Sequence, residues 1–477
     1  MNLKKSATSG IKWSTASRVG QQGIQFITLT IFARLLQPED FGLMASAMVV
    51  IGFINVFRDL GIPAAIIQRQ EITDDLFSSL FWLSVITGVI LMIGLILVSP
   101  LLAEFFNNSG LIPILKVLSF SFLFSSLSNV QQAMLEKEMN FKSIAKYEIC
   151  GTLLSAISGI SVAFLNFGVW SLVTQNIVFT LTITILLWFN VPHKPKLLCK
   201  WKELKSIANF SGNLAGFNIL NYFVRNADYI LIQKYLGSQQ LGYYTLAYRL
   251  MLYPLRNITV VVTRVMFPVL SKIQQDDTQF KDIYLKLVSS IALITFPLML
   301  GLTAVSDNFV LVLLGAKWEP VITLIVILAP LGLIQSIYTP AGMIYQSKGR
   351  TDLWFRWGLF SGLLFVSAFW IGLRWGIIGV ALAYLIVNVI TLYPGLVISF
   401  NLIKLKVQEF VYRFNRIFII SLSMFLIVII LKHVLNIYFD LTISLVSAIV
   451  IGVIAYSWMS YRFNKDYIMY VYESIKN

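Results

Sequence analysis

About fourteen apolar runs follow one another along this chain, each long enough to be a helix across a lipid bilayer. A helix needs roughly 20 apolar residues to cross the hydrocarbon. The runs fall near 11–36, 40–60, 78–105, 111–134, 144–166, 169–191, 209–236, 240–266, 287–314, 320–346, 354–374, 376–402, 416–434 and 441–461. Residues are 57% hydrophobic and 12% charged, against about 25% charged in soluble domains. The fold class this predicts is all-α integral membrane, with about fourteen transmembrane helices. The first and seventh runs are the most polar and would fall below a strict hydropathy threshold.

Charge fixes an orientation. With both termini on one side, the loops on that side hold about 26 Lys and Arg, and the opposite loops hold about six. Cytoplasmic loops carry the excess of basic residues, so both termini are expected in the cytoplasm. The opposite loops are all short, which leaves no room for a large external catalytic domain. The net charge of +15 does not mark a nucleic-acid binder, because the basic residues sit in short loops between apolar runs and form no basic domain. Two cysteines, Cys150 and Cys199, and two histidines, His193 and His433, offer neither a disulfide framework nor a metal cluster. Lys4, Lys5 and Lys12 lead into a long first run with no small-residue cleavage site, so no cleavable signal peptide is expected.

The chain also repeats itself. Arg34-Leu35-Leu36, Phe41-Gly42 and Ala47 match Lys234-Tyr235-Leu236, Leu241-Gly242 and Ala247 at an offset of 200 residues. Phe167-Gly168-Val169 matches Trp375-Gly376-Ile377 at an offset of 208. Six runs separate the copies, and an even number keeps the repeat parallel. The expected organisation is a six-helix bundle over 1–191, a basic cytoplasmic linker over 192–208, and a second six-helix bundle over 209–403. Accessory helices 13 and 14 with a cytoplasmic tail then fill 404–477.

Ionised residues inside a membrane are costly and usually face a partner or a water-filled cavity. Runs 1, 7 and 8 hold Arg18, Arg225, Arg249, Arg256 and Arg264 against a single acid, Asp228. At about 1.5 Å per residue, Arg18 lies roughly 9 Å from the inner edge and Arg256 roughly 18 Å. Arg225 and Arg249 fall in the outer half. Guanidinium groups bind phosphate bidentately, so a path lined by them suits an anionic substrate. Two readings stay open for Arg225 and Asp228: a structural ion pair three residues apart on one helix, or a functional pair. Arg264 reads as a residue snorkelling to the interface. Amides and hydroxyls cluster in run 1 (Ser14, Thr15, Ser17, Gln21, Gln22, Gln25) and in run 7 (Asn209, Ser211, Asn213, Asn218, Asn221, Asn226), as in helices facing a hydrophilic lumen. Interhelical hydrogen bonding explains several of them equally well.

Several segments carry a family resemblance. They are Ala33-Arg34-Leu35-Leu36 through Asp40-Phe41-Gly42, Asp59-Leu60-Gly61 through Ala64-Ala65, Ile67-Gln68-Arg69 and Leu80-Phe81-Trp82-Leu83. In the second half they are Leu241-Gly242-Tyr243-Tyr244 through Ala247-Tyr248-Arg249, then Pro254, Phe267-Pro268, and Gly315 with Lys317-Trp318. In their order and spacing the chain resembles the bacterial polysaccharide exporters of the multidrug/oligosaccharidyl-lipid/polysaccharide superfamily, nearest the colanic-acid and teichuronic-acid branch. The resemblance covers the chain to about residue 405.

The resemblance implies a flippase of the bacterial inner membrane that works by alternating access. Its cargo would be undecaprenyl-diphosphate-linked oligosaccharide repeat units for exopolysaccharide, O-antigen or teichuronic-acid-type polymers. Arg18, Arg225, Arg249 and Arg256 are then the candidate substrate-binding residues of a cationic lumen. Asp228 and Asp59 are candidates for a coupling or counter-ion role, although Asp59, beside Arg58 and Gly61, also reads as a turn residue. No catalytic residue, cofactor or metal ligand is expected; the coupling ion would be a proton or sodium. Expected partners are the lipid-diphosphate-linked oligosaccharide, membrane lipid, and the polymerase and glycosyltransferases of the same pathway, with no nucleic acid. Two rivals are a multidrug cation antiporter of the same fold and a membrane polysaccharide polymerase or ligase. The first would want acids where this chain has arginines. The second would want a large external loop.

Overall fold

The computed structural model describes the backbone of residues 3–58, 63, 66–67, 72–191, 194–197 and 221–463, and the side chains of these except 3–12, 14–16 and 253–265. Regular structure among the described residues is helical, without a strand. Ten helical stretches there are long and apolar enough to cross a membrane. One of them, Thr351–Asn401, spans 51 residues and is two helices joined by a 3₁₀ turn at Leu373–Trp375.

The chain divides into two compact units, Met1–Gly242 and Tyr243–Asn477. The first holds α1 (Leu3–Leu35), α2 (Pro38–Arg58), α3 (Asp74–Phe105), α4 (Leu111–Leu118), α5 (Phe120–Lys137), α6 (Phe141–Phe164), α7 (Trp170–Asn190) and α8 (Ala227–Leu236). Helix α6 packs on α1 and α7, and α3 packs on α5. Leu76, Phe77, Leu80 and Phe81 of α3 meet Val130, Ala133 and Met134 of α5 in one apolar core. Helix α9 (Ser238–Lys272) begins in this unit and runs into the second.

The second unit adds α10 (Asp277–Ala304), α11 (Pro320–Tyr338), α12 (Ala341–Ser347), α13 (Thr351–Gly372), α14 (Gly376–Asn401), α15 (Val407–Tyr438) and α16 (Leu441–Phe463). Its main core joins Phe280, Tyr284, Val288 and Ile291 of α10 to Leu396 and Phe400 of α14 and to Phe410, Phe414 and Ile417 of α15. A second cluster seats Met424 and Val428 of α15 and Leu445 and Ala448 of α16 against Leu300 and Ala304. Helices 13 and 14 of the sequence reading are therefore packed onto the body of this unit.

Each departure from the apolar runs has a local cause. Helix α3 starts at Asp74, ahead of residue 78, because Thr73 caps it: the Leu76 N–H donates to Thr73 Oγ1 at 3.2 Å. The run at 111–134 bends at Ser119 into α4 and α5. The run at 320–346 is interrupted where Pro340 follows Thr339, since proline offers no N–H to continue the ladder. Beyond Ala304 the helix gives way to a short turn, Ser306–Phe309, and a π-helical turn, Val310–Leu314. Helices α1 and α9, part of whose side chains lie outside the described residues, are not among the ten apolar stretches.

The repeat noticed in the sequence lands on equivalent turns. Helix α1 ends at Leu35 and α2 begins at Pro38; 200 residues on, α8 ends at Leu236 and α9 begins at Ser238. The two starts touch reciprocally. A Cβ on Gly42 would lie 1.8 Å from the Ser238 carbonyl oxygen, and a Cβ on Gly242 would lie 1.8 Å from that of Pro38. Only glycine permits this approach. At the other matched turns Gly168 and Gly376 both have positive φ, +55° and +68°.

Candidate functional site

The α1–α6 contact carries a polar cluster within the apolar body of the first unit. Ser17, fully buried, and Gln21 lie one turn apart on α1. Gln21 Nε2 donates to Ser17 Oγ at 2.7 Å and to Glu148 Oε2 of α6 at 2.9 Å. The Ser17 hydroxyl lies 3.3 Å from the same carboxylate oxygen and 3.5 Å from the Ala145 carbonyl. Helix α6 needs small residues to bring its backbone this close, and Ala145, Gly151, Thr152, Ser155 and Ala156 are buried along it. Glu148 is the residue that sequence reasoning passed over. The signal was present: an acid inside the run at 144–166. Its partners, more than 120 positions away, were not legible from spacing.

Arg18 follows Ser17 and is exposed. Among the described residues it has neither an ion pair nor a hydrogen bond. Arg225 is exposed as well, on the helical turn at 221–225, while Asp228, at the start of α8, is 4% exposed. No ion pair joins Arg225 to Asp228 among the described residues. Asp228 Oδ1 instead accepts from the Tyr229 N–H at 2.9 Å, at a helix N-terminus that favours an anion. Arg249 is exposed on α9. The side chains of Arg256 and Arg264, on the same helix, lie outside the described residues, as does Asp59. Glu39 and Asp40 do open a helix: Asp40 Oδ2 accepts from the Gln37 N–H at 2.8 Å.

Beside Arg249, Tyr248 stacks on Tyr244 and on Tyr384 of α14, with ring centroids 6.1 Å apart in each pair. Gln335 of α11 donates to the Tyr384 hydroxyl at 3.0 Å. Next to Phe223 the Tyr222 hydroxyl donates to the Val49 carbonyl at 2.6 Å. A further ion pair links Lys432 of α15 to both oxygens of Asp307, at 2.7 and 2.8 Å. No group of three or more His, Cys, Asp and Glu that would hold a metal occurs among the described residues.

Residues 31–323 match the family model described as polysaccharide biosynthesis protein. The chain belongs to that family. It is 31% identical over 397 residues to the lipopolysaccharide biosynthesis protein WzxC of Escherichia coli, covering 82% of this chain and 80% of that one. It is 27% identical over 426 residues to the teichuronic acid biosynthesis protein TuaB of Bacillus subtilis, covering 89% and 88%. In three dimensions it is similar to the lipid II flippase MurJ in an inward closed conformation, with a TM-score of 0.76, 19% identity, and coverage of 96% of this chain and 100% of that one. The last likeness establishes the fold: a multi-pass helical membrane protein, as the apolar runs predict.

Proposed function

We propose that this chain moves lipid-diphosphate-linked oligosaccharide repeat units across the bacterial inner membrane by alternating access, with both termini in the cytoplasm. The product would feed an exopolysaccharide, O-antigen or teichuronic-acid-type polymer, alongside the polymerase and glycosyltransferases of the same pathway. It is a carrier in this reading and not an enzyme. Membership of the polysaccharide biosynthesis family supports it, as do relatives named for such pathways.

The observation that carries the residue-level reading is the pair of guanidinium groups of Arg18 and Arg225, both exposed and without an acidic partner among the described residues. An unneutralised guanidinium in an apolar protein is poised for an anion, and the diphosphate is the strongest anion on such a cargo. Arg249 and Arg256 are further candidates for the same role. Asp228 and Asp59 remain proposed counter-ion or coupling residues, with a proton or sodium as the driving ion. The test replaces Arg18 and Arg256 together by alanine in cells that depend on the polymer. Export is expected to fall at least tenfold at normal protein levels, the effect of losing charge-assisted contacts of about 1.5–3 kcal/mol each. Undiminished export would remove the cationic lumen.

A further inference from the structure

Helices α14 and α15 are joined by a short loop, 402–406, and leave an open groove of about 830 Å³ beside it. That is within the range of small-molecule sites, about 300–1,000 Å³. One wall is a stripe of α14 at four-residue spacing, Tyr393, Val397 and Asn401, and the other is the matching stripe of α15, Val407, Val411 and Asn415. Residues four apart share a helix face, so each wall is one face of one helix. Lys406, in the loop, lines the end of the groove together with Gln408.

Polar and apolar groups are sorted along its length. The amides of Asn401 and Gln408 and the ammonium of Lys406, all exposed, sit at the loop end. Tyr393 and Asn415 lie eight residues from Asn401 and Val407, which is about 12 Å along each helix. Beyond them the same stripes continue as exposed aliphatic surface, Ile386 and Val389 on α14 and Ile419 and Leu422 on α15. The rings of Tyr393 and Tyr412 on the groove are both well exposed. Tyrosine is enriched where hydrocarbon gives way to headgroups. A soluble anion would match the loop end alone, whereas an amphipathic anion matches the whole length.

Charge selects the headgroup. Of the basic residues around the loop, Lys404 pairs with Asp277 at 2.9 Å and Arg416 donates to the Phe463 carbonyl at 3.1 Å. Arg413 is half-buried and engaged within the fold. Lys406 has neither an ion pair nor a hydrogen bond among the described residues. No acid lines the groove, and the nearest in sequence, Glu409, is held by Lys281 at 2.9 Å.

We propose that this groove binds an anionic phospholipid of the cytoplasmic leaflet, a molecule distinct from the transported cargo. The phosphate diester lies against Lys406, and the Asn401 and Gln408 amides donate to its free oxygens. One acyl chain follows Val397 and Val411 onto the aliphatic stripes. A choline or ethanolamine headgroup brings a cation of its own and finds no counter-ion here. The leaflet follows from the orientation that loop charge predicts; the site itself needs neither that orientation nor the proposed transport.

The experiment counts lipids bound to the purified full-length protein in detergent by native mass spectrometry. Dioleoylphosphatidylglycerol is set against dioleoylphosphatidylcholine, which shares its chains but has no net charge. The first phosphatidylglycerol is expected to bind at least about fivefold tighter than the first phosphatidylcholine, the attraction of one basic residue to an anionic headgroup. Lys406→Gln should abolish that preference. Lys404→Gln should keep it, because Lys404 is occupied by Asp277 and does not line the groove. Equal wild-type affinity for the two lipids overturns the proposal, as does an equal loss from the two variants, which would mean a diffuse basic surface. A phosphatidylglycerol with a diazirine high in one acyl chain locates the site without any variant: cross-links should fall within 386–422, and cross-links confined elsewhere overturn it. Undecaprenyl diphosphate displacing phosphatidylglycerol one for one would assign the groove to the cargo's carrier. Dimers forming at the expense of bound phosphatidylglycerol would assign it to a second copy of this chain. Either result removes the phospholipid. Flipping of a lipid-linked oligosaccharide in vesicles is scored apart, and its absence removes the proposed function while leaving this site.

Discussion

Asn308 is 1% exposed, and its amide does most of the polar work at the junction of α15, α16 and the turn after α10. Its Nδ2 donates to Asn436 Oδ1 at 2.9 Å and to Ser444 Oγ at 3.1 Å, and its Oδ1 accepts from Asn436 Nδ2 at 3.3 Å. Replacing it with leucine strands the buried Ser444 hydroxyl, which costs about 1–3 kcal/mol when unsatisfied, and removes both hydrogen bonds to Asn436, which is exposed and can turn to solvent. Asn308→Leu should lower the thermal midpoint of the purified protein by several degrees. Lys432→Met, which breaks a pair whose carboxylate is 40% exposed, should lower it less, by about 1 kcal/mol or under. An equal loss from the two would mean that the ion pair and not the amide carries the junction. The sequence showed Lys432 as an outer-loop charge and nothing of this network. An asparagine in an apolar run states that a partner exists, not which helix supplies it. The same limit applies to Glu148. A guanidinium in an apolar run is visible to anyone scanning for charge, whereas the hydrogen bonds of Ser17 and Gln21 to Glu148 emerge only once the helices are paired.

At the scale of elements, apolar runs translated well into helices because length and hydropathy are local properties. Where they misjudged an end, the deciding residue was a cap or a proline: Thr73 before α3, Pro340 between α11 and α12. The matched turns were legible for a different reason. Glycines at 42 and 242 recur because two helix starts cross there with no room for a Cβ. Gly42→Val should therefore force the α2 and α9 starts apart. Overpacking of this kind typically costs about 1–3 kcal/mol, and backbone oxygen as the obstacle puts this site at the upper end. Gly242→Val, its mirror image, should cost a similar amount, and each should reduce the level of folded protein extracted from membranes. Gly94→Val makes the control, since its Cβ would meet nothing within 4 Å. If all three variants accumulate alike, the reciprocal crossing does not constrain the fold.

For the whole molecule, charge predicts which side of the membrane each end occupies before any site is considered. The basic excess on one set of loops is about 26 against six, far more than any single misassigned run would reverse. Lys196 belongs to the basic set, and the folded first unit gives it a definite place: its Nζ lies 2.8 Å from Asp74 at the start of α3, and its carbonyl accepts from the Trp82 indole at 2.9 Å. Arg374 belongs to the sparse set, in the 3₁₀ turn between α13 and α14. A protein freed of Cys150 and Cys199, its two cysteines, would report on both sites through one new thiol at a time. Leu197→Cys and Trp375→Cys suit the purpose, because both positions are well exposed, at 87% and 68%. With an impermeant maleimide added to intact cells, the thiol at 375 should label and the thiol at 197 should label only after lysis. The reverse pattern would place the basic loops outside and invert the orientation. It would also invert the proposed route of the cargo, because α6 would then start from the outer face, the wrong side for a carrier loaded from within. Agreement would fix Glu148 near the cytoplasmic end of α6, where a lipid-linked anion made inside the cell first meets the protein.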